Sequence, residues 1–215
     1  IVVLVIVLSA LVTSFGVSYY EWKFKDSFLF KRELTLKDGR KVVLRTITRD
    51  DFPKMRQFLN ALVREGALIA RDRYLNPIEE KDMERESLDK INRGDAITWV
   101  CEYEKRIIAR AVAKRMDLRE RDNVDLSLYV AKDFRGVGLG TTLLRMLIKE
   151  SQLAFKPHKI YLSAYSNNLK AIRLYEKEGF EKIGVLPEWG KYHGEYIDEI
   201  YLAYRPQKKR SAGKR

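Results

Sequence analysis

The chain has 215 residues, of which 46% are hydrophobic and 33% charged, and it carries a net charge of +12. A single cysteine, Cys101, excludes an internal disulfide and a cysteine zinc site, and with only His158 and His193 as imidazoles no metal-ligand spacing arises. No internal repeat points to a solenoid or propeller, and the basic balance calls for anionic partners: a phosphate-bearing cofactor, nucleic acid or an acidic lipid surface.

Residues 1–20 contain no charged side chain. As a helix they would span roughly 30 Å, the hydrocarbon thickness of a bilayer. Tyr19, Tyr20 and Trp22 follow, then Lys23, Lys25, Lys31 and Arg32, the order of an aromatic belt followed by a cytoplasmic basic flank. Residues 1–22 are therefore expected to form a membrane anchor that leaves the rest of the chain in the cytoplasm. Three other readings stand beside it: a start placed upstream of the true one, a cleaved signal lacking its basic start, and a buried β-branched strand.

Residues 33–46 read as a hairpin turning at Asp38-Gly39. Thr48 to Asp51 resembles a capping box, and Pro53 suits a first helical turn. Met55, Phe58, Leu59, Leu62 and Val63 then recur at helical spacing, and Gly66 ends the helix. Asn76-Pro77 starts a second helix that runs to Asn92-Arg93-Gly94. Ala96–Tyr103 and Ile107–Lys114 read as strands joined at Glu104-Lys105, with Cys101 as a core residue.

The most informative stretch is Val124–Leu144. An apolar strand, Val124–Val130, enters a turn with Gly136, Gly138 and Gly140 at alternate positions, and the turn opens a helix carrying Leu143, Leu144, Leu147 and Ile148. Backbone N–H groups bare of side chains at the positive end of a helix suit phosphate oxygens. Lys159–Tyr165 is a further strand, Asn167 or Asn168 caps a helix through Glu178, and Gly179 stops it. Phe180–Leu186 and Tyr196–Tyr204 are the last strands, and residues 206–215 form a basic tail expected to be disordered. Strand–helix–strand units after residue 124 call for a partly parallel sheet, and the earlier hairpins for antiparallel strands, so the fold class is mixed α/β.

Over residues 40–205, and most strongly over 124–204, the chain resembles the GNAT superfamily of acyl-CoA-dependent N-acyltransferases. Arg135-Gly-Val-Gly138-Leu-Gly140 matches that family's (Arg/Gln)-x-x-Gly-x-(Gly/Ala) signature, and Asn168 to Phe180 is similar to its usual second half. A dinucleotide-binding fold would place its glycine motif in the first strand–helix unit.

The resemblance implies a single domain over 31–205, built on a mixed, partly parallel sheet of about six to seven strands flanked by helices. It implies acetyl-CoA as cosubstrate and no metal, with cofactor contacts from Leu128, Tyr129, Val130, Arg135, Gly136, Val137, Gly138, Leu139, Gly140, Thr141 and Asn168. The pyrophosphate would lie on the N–H groups of Val137 to Thr141, with Lys132, Arg135 and Arg173 as further cations. The Val130 N–H would meet the thioester carbonyl, and Tyr175 would protonate the departing thiolate. Tyr175 also reads as core packing. Asp125, where phosphinothricin-type members carry an acid, would act as base, or is a solvated strand-end carboxylate. Ser163 stands where ribosomal-protein acetyltransferases usually carry Glu.

Residues 187–199 are similar to a substrate loop and strand of the "Gly-x-Tyr-x-Asp" type, the loop between the first two helices is the other substrate wall the resemblance implies, and Tyr74, Glu102, Trp189 and Tyr192 are candidates for the acceptor wall. The implied activity is acetyl transfer to a primary amine by direct attack in a ternary complex. The enzyme would be a monomer or homodimer and would bind no specific nucleic acid. The alternative is a non-catalytic acyl-CoA-binding module tethered to a membrane.

Overall fold

Local sequence rules account for most of the elements. β1 (Lys31–Thr35) and β2 (Lys41–Thr46) form the first hairpin, whose turn places Gly39 at φ +85°. Asp51 ends the next turn, where its carboxylate accepts from both the N–H and the hydroxyl of Thr48 and from Arg45. Helix α1 (Phe52–Arg64) follows with Pro53 in its first turn, and α2 (Pro77–Asn92) begins at Asn76, whose side chain accepts from the N–H groups of Ile78 and Glu79. Strands β3 (Ala96–Tyr103), β4 (Arg106–Arg115) and β5 (Asn123–Val130) lead into α3 (Leu139–Phe155). The chain then adds β6 (Lys159–Tyr165), α4 (Leu169–Lys177), β7 (Glu181–Tyr192) and β8 (Glu195–Tyr204).

This computed structural model describes residues 30–206. The expected anchor over 1–22 and the tail beyond 206 lie outside the described residues. Among the described residues no helix is long and apolar enough to cross a membrane.

The strands form one sheet in the order β1-β2-β3-β4-β5-β6-β8-β7. It has eight strands rather than six or seven, because both outer hairpins pair into it. Every neighbouring pair is antiparallel except β5 and β6. On one face, α3 buries Leu143, Leu144 and Leu147 against Val124, Leu126, Ile160 and Leu202. Each fully buried leucine contributes about 1.5–3 kcal/mol of burial. On the other face, α1 and α2 close a smaller core with Met55, Phe58, Leu62 and Val100.

Two segments differ from expectation. β7 runs on through Pro187 to Tyr192, with an irregular register between Leu186 and Gly190, so residues 187–192 are strand rather than loop. β7 lies at the sheet edge, where the missing N–H of Pro187 interrupts no ladder on its outer side. The turn to β8 falls at His193-Gly194, both at positive φ.

Candidate active site

β5 and β6 pair only over Asn123, Val124 and Asp125, opposite Lys159, Ile160 and Tyr161. Beyond that point β5 stays with β4 as far as Val130, while β6 follows β8 as far as Tyr165 opposite Glu199. The sheet therefore divides at Asp125. The Ala131 N–H donates to Ile108 on β4 at 2.8 Å. Alternation along the strand then turns the N–H groups of Val130 and Leu128 toward the division.

A cleft of about 860 Å³ fills this division, and Leu128, Tyr129 and Val130 line it. Below it runs the glycine turn, with Gly136 at φ +78° and Gly138 at φ +88°. Gly138 caps α3 without any side-chain hydrogen bond. Among the described residues no acceptor meets the N–H groups of Gly136 to Thr141, and the first bond of the helix is Thr142 N–H to the Gly138 carbonyl at 3.0 Å. Nothing lies within 4 Å of the place a Gly136 Cβ would take. This combination, an unpaired strand edge running into a bare helix N-terminus, fits an extended ligand that ends in phosphates.

The expected cofactor residues divide into groups. Gly136, Gly138, Gly140, Thr141 and Asn168 line the cleft. Leu139 does not: its side chain is fully buried in the core below α3. Val137 lines a smaller neighbouring pocket, and its carbonyl accepts from the Lys37 N–H at 3.2 Å. Among the described residues, both keep a backbone N–H free to serve a ligand. The Arg135 side chain is engaged within the protein, since its Nε donates to the Val130 carbonyl at 2.9 Å and its guanidinium pairs with Glu65 at the end of α1. Lys132 and Lys37 line the cleft, and Arg173 is exposed outside it.

Tyr175 also lines the cleft while its ring packs in the core 6.1 Å from Phe180. Packing and a hydroxyl role thus coexist at this residue. Burial, and next Tyr129, push its hydroxyl up to about 12, so it holds its proton at neutral pH. Asp125 sits where β5 and β6 part, and burial pushes its carboxyl up to about 6; Lys114 opposes the shift and Glu199 adds to it.

Of the acceptor candidates, only Tyr192 lines the cleft. Glu102 is bonded to Arg45 at 2.7 Å and lies near Lys54, and Tyr74 and Trp189 are exposed elsewhere. The loop after α1 supplies an apolar wall, Gly66–Ala70, and two lining residues without a motif of their own, Tyr165 and Glu199, stand opposite the glycine turn's end of the cleft. Glu199 accepts a hydrogen bond from Ser163 Oγ at 2.6 Å. The signal for Glu199 was the alternation of β8, in which Ile200 and Leu202 enter the α3-side core and Glu199 takes the other face.

The sequence model of the Acetyltransferase (GNAT) family matches residues 64–180. The chain belongs to the GNAT acetyltransferase family. A probable spermine N(1)-acetyltransferase of Bacillus subtilis subsp. natto is 41% identical over 58 residues, 27% of this chain and 38% of that one. An L-methionine sulfoximine/L-methionine sulfone acetyltransferase of Pseudomonas aeruginosa is 35% identical over 92 residues, 43% of this chain and 53% of that one. The GNAT chain thus spans between about two-fifths and half of the length of these curated relatives. Among solved structures, a ribosomal-protein-alanine N-acetyltransferase from Brucella melitensis superposes with a TM-score of 0.66 at 25% identity, covering 76% of this chain and 99% of that one. A GNAT-superfamily phosphinothricin acetyltransferase from Sinorhizobium meliloti, in complex with acetyl-CoA, gives 0.65 at 22% identity over 80% of this chain and 89% of that one.

Proposed function

We propose that this chain transfers the acetyl group of acetyl-CoA to a primary amine, with both substrates held in the divided sheet. The observation that carries the reading is the division itself: a β5 edge that, among the described residues, is unpaired beyond Asp125 and runs into a helix N-terminus whose N–H groups meet no acceptor. An acyl-CoA has the matching shape, an amide-bearing arm that adds to a strand edge and a pyrophosphate that suits the glycine turn. When bound, acetyl-CoA supplies the acetyl carbonyl and a thiolate leaving group.

The residues then take the following roles. The N–H groups of Gly136 to Thr141 hold phosphate oxygens, with Lys37 and Lys132 as cations beside them. The Val130 N–H donates to the carbonyl oxygen as negative charge develops there. Asp125 accepts the proton that the attacking amine must shed, directly or through a water; near neutral pH most of its carboxylate is ionised. As the amine nitrogen bonds to the carbonyl carbon and the carbon–sulfur bond breaks, Tyr175 gives its proton to the sulfur. Holding the two substrates side by side supplies up to about 7–11 kcal/mol of the acceleration.

The test is thiol release from acetyl-CoA by the full chain against a panel of polyamines, amino acids and N-terminal peptides. Turnover with at least one amine supports the reading. CoA binding without turnover on any amine leaves a non-catalytic binding module in its place, and absence of CoA binding removes both.

A further inference from the structure

The cleft is electrostatically divided. Its glycine-turn end carries Lys37, Lys132 and Arg135, the last of these paired with Glu65, and Lys170 lines the cleft from the first turn of α4. Its other end carries Asp125 and Glu199. In a chain with 42 Lys and Arg against 30 Asp and Glu, neither of these two carboxylates joins an ion pair among the described residues. Lys114 stands across the sheet from Asp125 but does not line the cleft.

Glu199 is also held in place. The 2.6 Å bond from Ser163 fixes its carboxylate over β6, a short, charge-assisted contact. Ser163 is two residues along β6 from Tyr161, the partner of Asp125, so the two carboxylates are offset by roughly 7 Å along the strand direction. Tyr165, which lines the same wall, presents an aromatic ring beside them. A cation placed there meets a carboxylate and a ring face together.

Resting on the acetyl-transfer reading, we propose that Glu199, positioned by Ser163, selects the acceptor, and that the acceptor is an amine bearing a second positive charge, a diamine or polyamine. One nitrogen reacts beside Asp125 while the distal ammonium sits on Glu199. An α-amino acid carries its carboxylate one carbon from the amine. It would set that charge against Asp125 and Glu199, beside which Gly66–Ala70, Ser163, Tyr165 and Tyr192 offer no cation, the lysine Lys170 lining the cleft from the first turn of α4.

The test is calorimetric titration of the full chain saturated with CoA, which cannot transfer an acetyl group, using spermidine, n-butylamine and L-methionine. Spermidine is expected to bind at least about tenfold more tightly than n-butylamine, and L-methionine more weakly than either. Glu199→Gln keeps an acceptor for Ser163 and removes the charge. It should weaken spermidine about tenfold, move n-butylamine less than about twofold and leave CoA affinity unchanged. L-methionine binding as tightly as spermidine, or an unchanged spermidine-to-butylamine ratio in Glu199→Gln, overturns the inference and leaves acetyl transfer standing. Failure of the native chain to bind CoA removes acetyl transfer itself, and this inference with it.

Discussion

The Tyr192 hydroxyl donates a hydrogen bond to the Gly66 carbonyl at 2.8 Å. This contact joins the tip of the β7–β8 hairpin to the loop that follows α1, and both residues line the cleft. It ties together two segments with no shared secondary structure at the acceptor end. Tyr192→Phe keeps the ring, which packs edge-on 4.2 Å from His193, and removes only the donor. The expected loss of stability is about 1 kcal/mol. Acceptor KM should rise about threefold to tenfold, while CoA affinity, set at the glycine-turn end, stays unchanged. Steady-state kinetics beside calorimetry of CoA binding separates the two. An unchanged acceptor KM would show that the tie does not shape the acceptor site.

Gly138 holds φ +88° at the start of α3, and a Cβ there would stand 3.3 Å from Lys37 Cε. The lysine end can shift, but the left-handed backbone cannot be adopted by alanine without a cost of about 1–2 kcal/mol. Gly138→Ala should therefore re-aim the N–H groups around it and weaken CoA binding at least about tenfold. Gly140 is different: it lies inside the helix, and its Cβ would meet Leu174 at an ordinary 3.8 Å. Gly140→Ala should bind CoA within about twofold of the native chain and melt slightly higher. Equal losses in both variants would mean that bulk, not backbone conformation, governs the turn.

What could be read from the sequence follows the range of the interaction. Helices α1 to α4 and the Asn76 and Asn168 caps depend on neighbours a few residues away, and periodicity placed them well. Alternation along Val124–Val130 is enough to set Asp125, Ser127 and Tyr129 on one face. No local pattern in the sequence marks the division of the sheet. Leu126 to Val130 are as apolar as a fully paired strand, and whether β6 stays beside them depends on β8, about 70 residues later in the chain. The engagement of Arg135 by Glu65 was hidden for the same reason, since the two are 70 positions apart. Glu199 escaped notice because Ser163, its partner, was read only as a missing carboxylate. The structure supplies a carboxylate at that place from the adjoining strand.

Asp125 links catalysis and stability with opposite signs. The groups facing it are Lys114 on β4, Tyr161 on β6, Glu199 and Tyr201 on β8, and Tyr129 on its own strand. Burial raises its carboxyl from 3.8 to about 6, so the folded chain holds a proton that the unfolded chain has released between those values. Stability therefore falls as pH rises through that window and stays lower above it. Asp125→Asn should match the native chain below about pH 4 and be more stable at pH 8, by at most about 2 kcal/mol once partial exposure is allowed for. As the base, Asp125 should give kcat/KM a rising limb through pH about 6, and the Asn variant should lose that limb and about a hundredfold in rate. A variant that is stabilised yet keeps the pH limb would move the base elsewhere.

Tyr175 is nearly enclosed, so its two roles are separable by one atom. Tyr175→Phe retains the contact with Phe180 and the packing below α4. Melting temperature should stay within about a degree or two, since a surface of the same shape is kept. If the hydroxyl protonates the thiolate, kcat should fall about tenfold to a hundredfold with acetyl-CoA KM little changed. Full turnover in a normally folded variant would return Tyr175 to packing alone.

Gly190 sets the position of the ring at the other wall. A Cβ on Gly190 would lie 2.6 Å from Tyr165 Cε1 and 3.2 Å from Cδ1 and Cζ, so the tyrosine ring rests directly on the β7 backbone. Gly190→Ala must move either the ring or the edge strand. The ring has the cleft before it, whereas β7 is tied to β8 at this point by Gly190–Ile197 and on either side of it by Leu186–Glu199 and Lys191–Tyr196. The ring should therefore move inward, raising acceptor KM about tenfold with CoA affinity unchanged and costing about 1–3 kcal/mol of stability. A double-mutant cycle decides whether this contact is the cause. Tyr165→Ala alone removes wall and packing, but with Tyr165→Ala already present Gly190→Ala has nothing left to strike. The second substitution should then cost less than about 0.5 kcal/mol, a coupling of roughly 1–2 kcal/mol between the two sites. Additive losses would mean that the damage of Gly190→Ala lies in the β7–β8 ladder rather than at the ring.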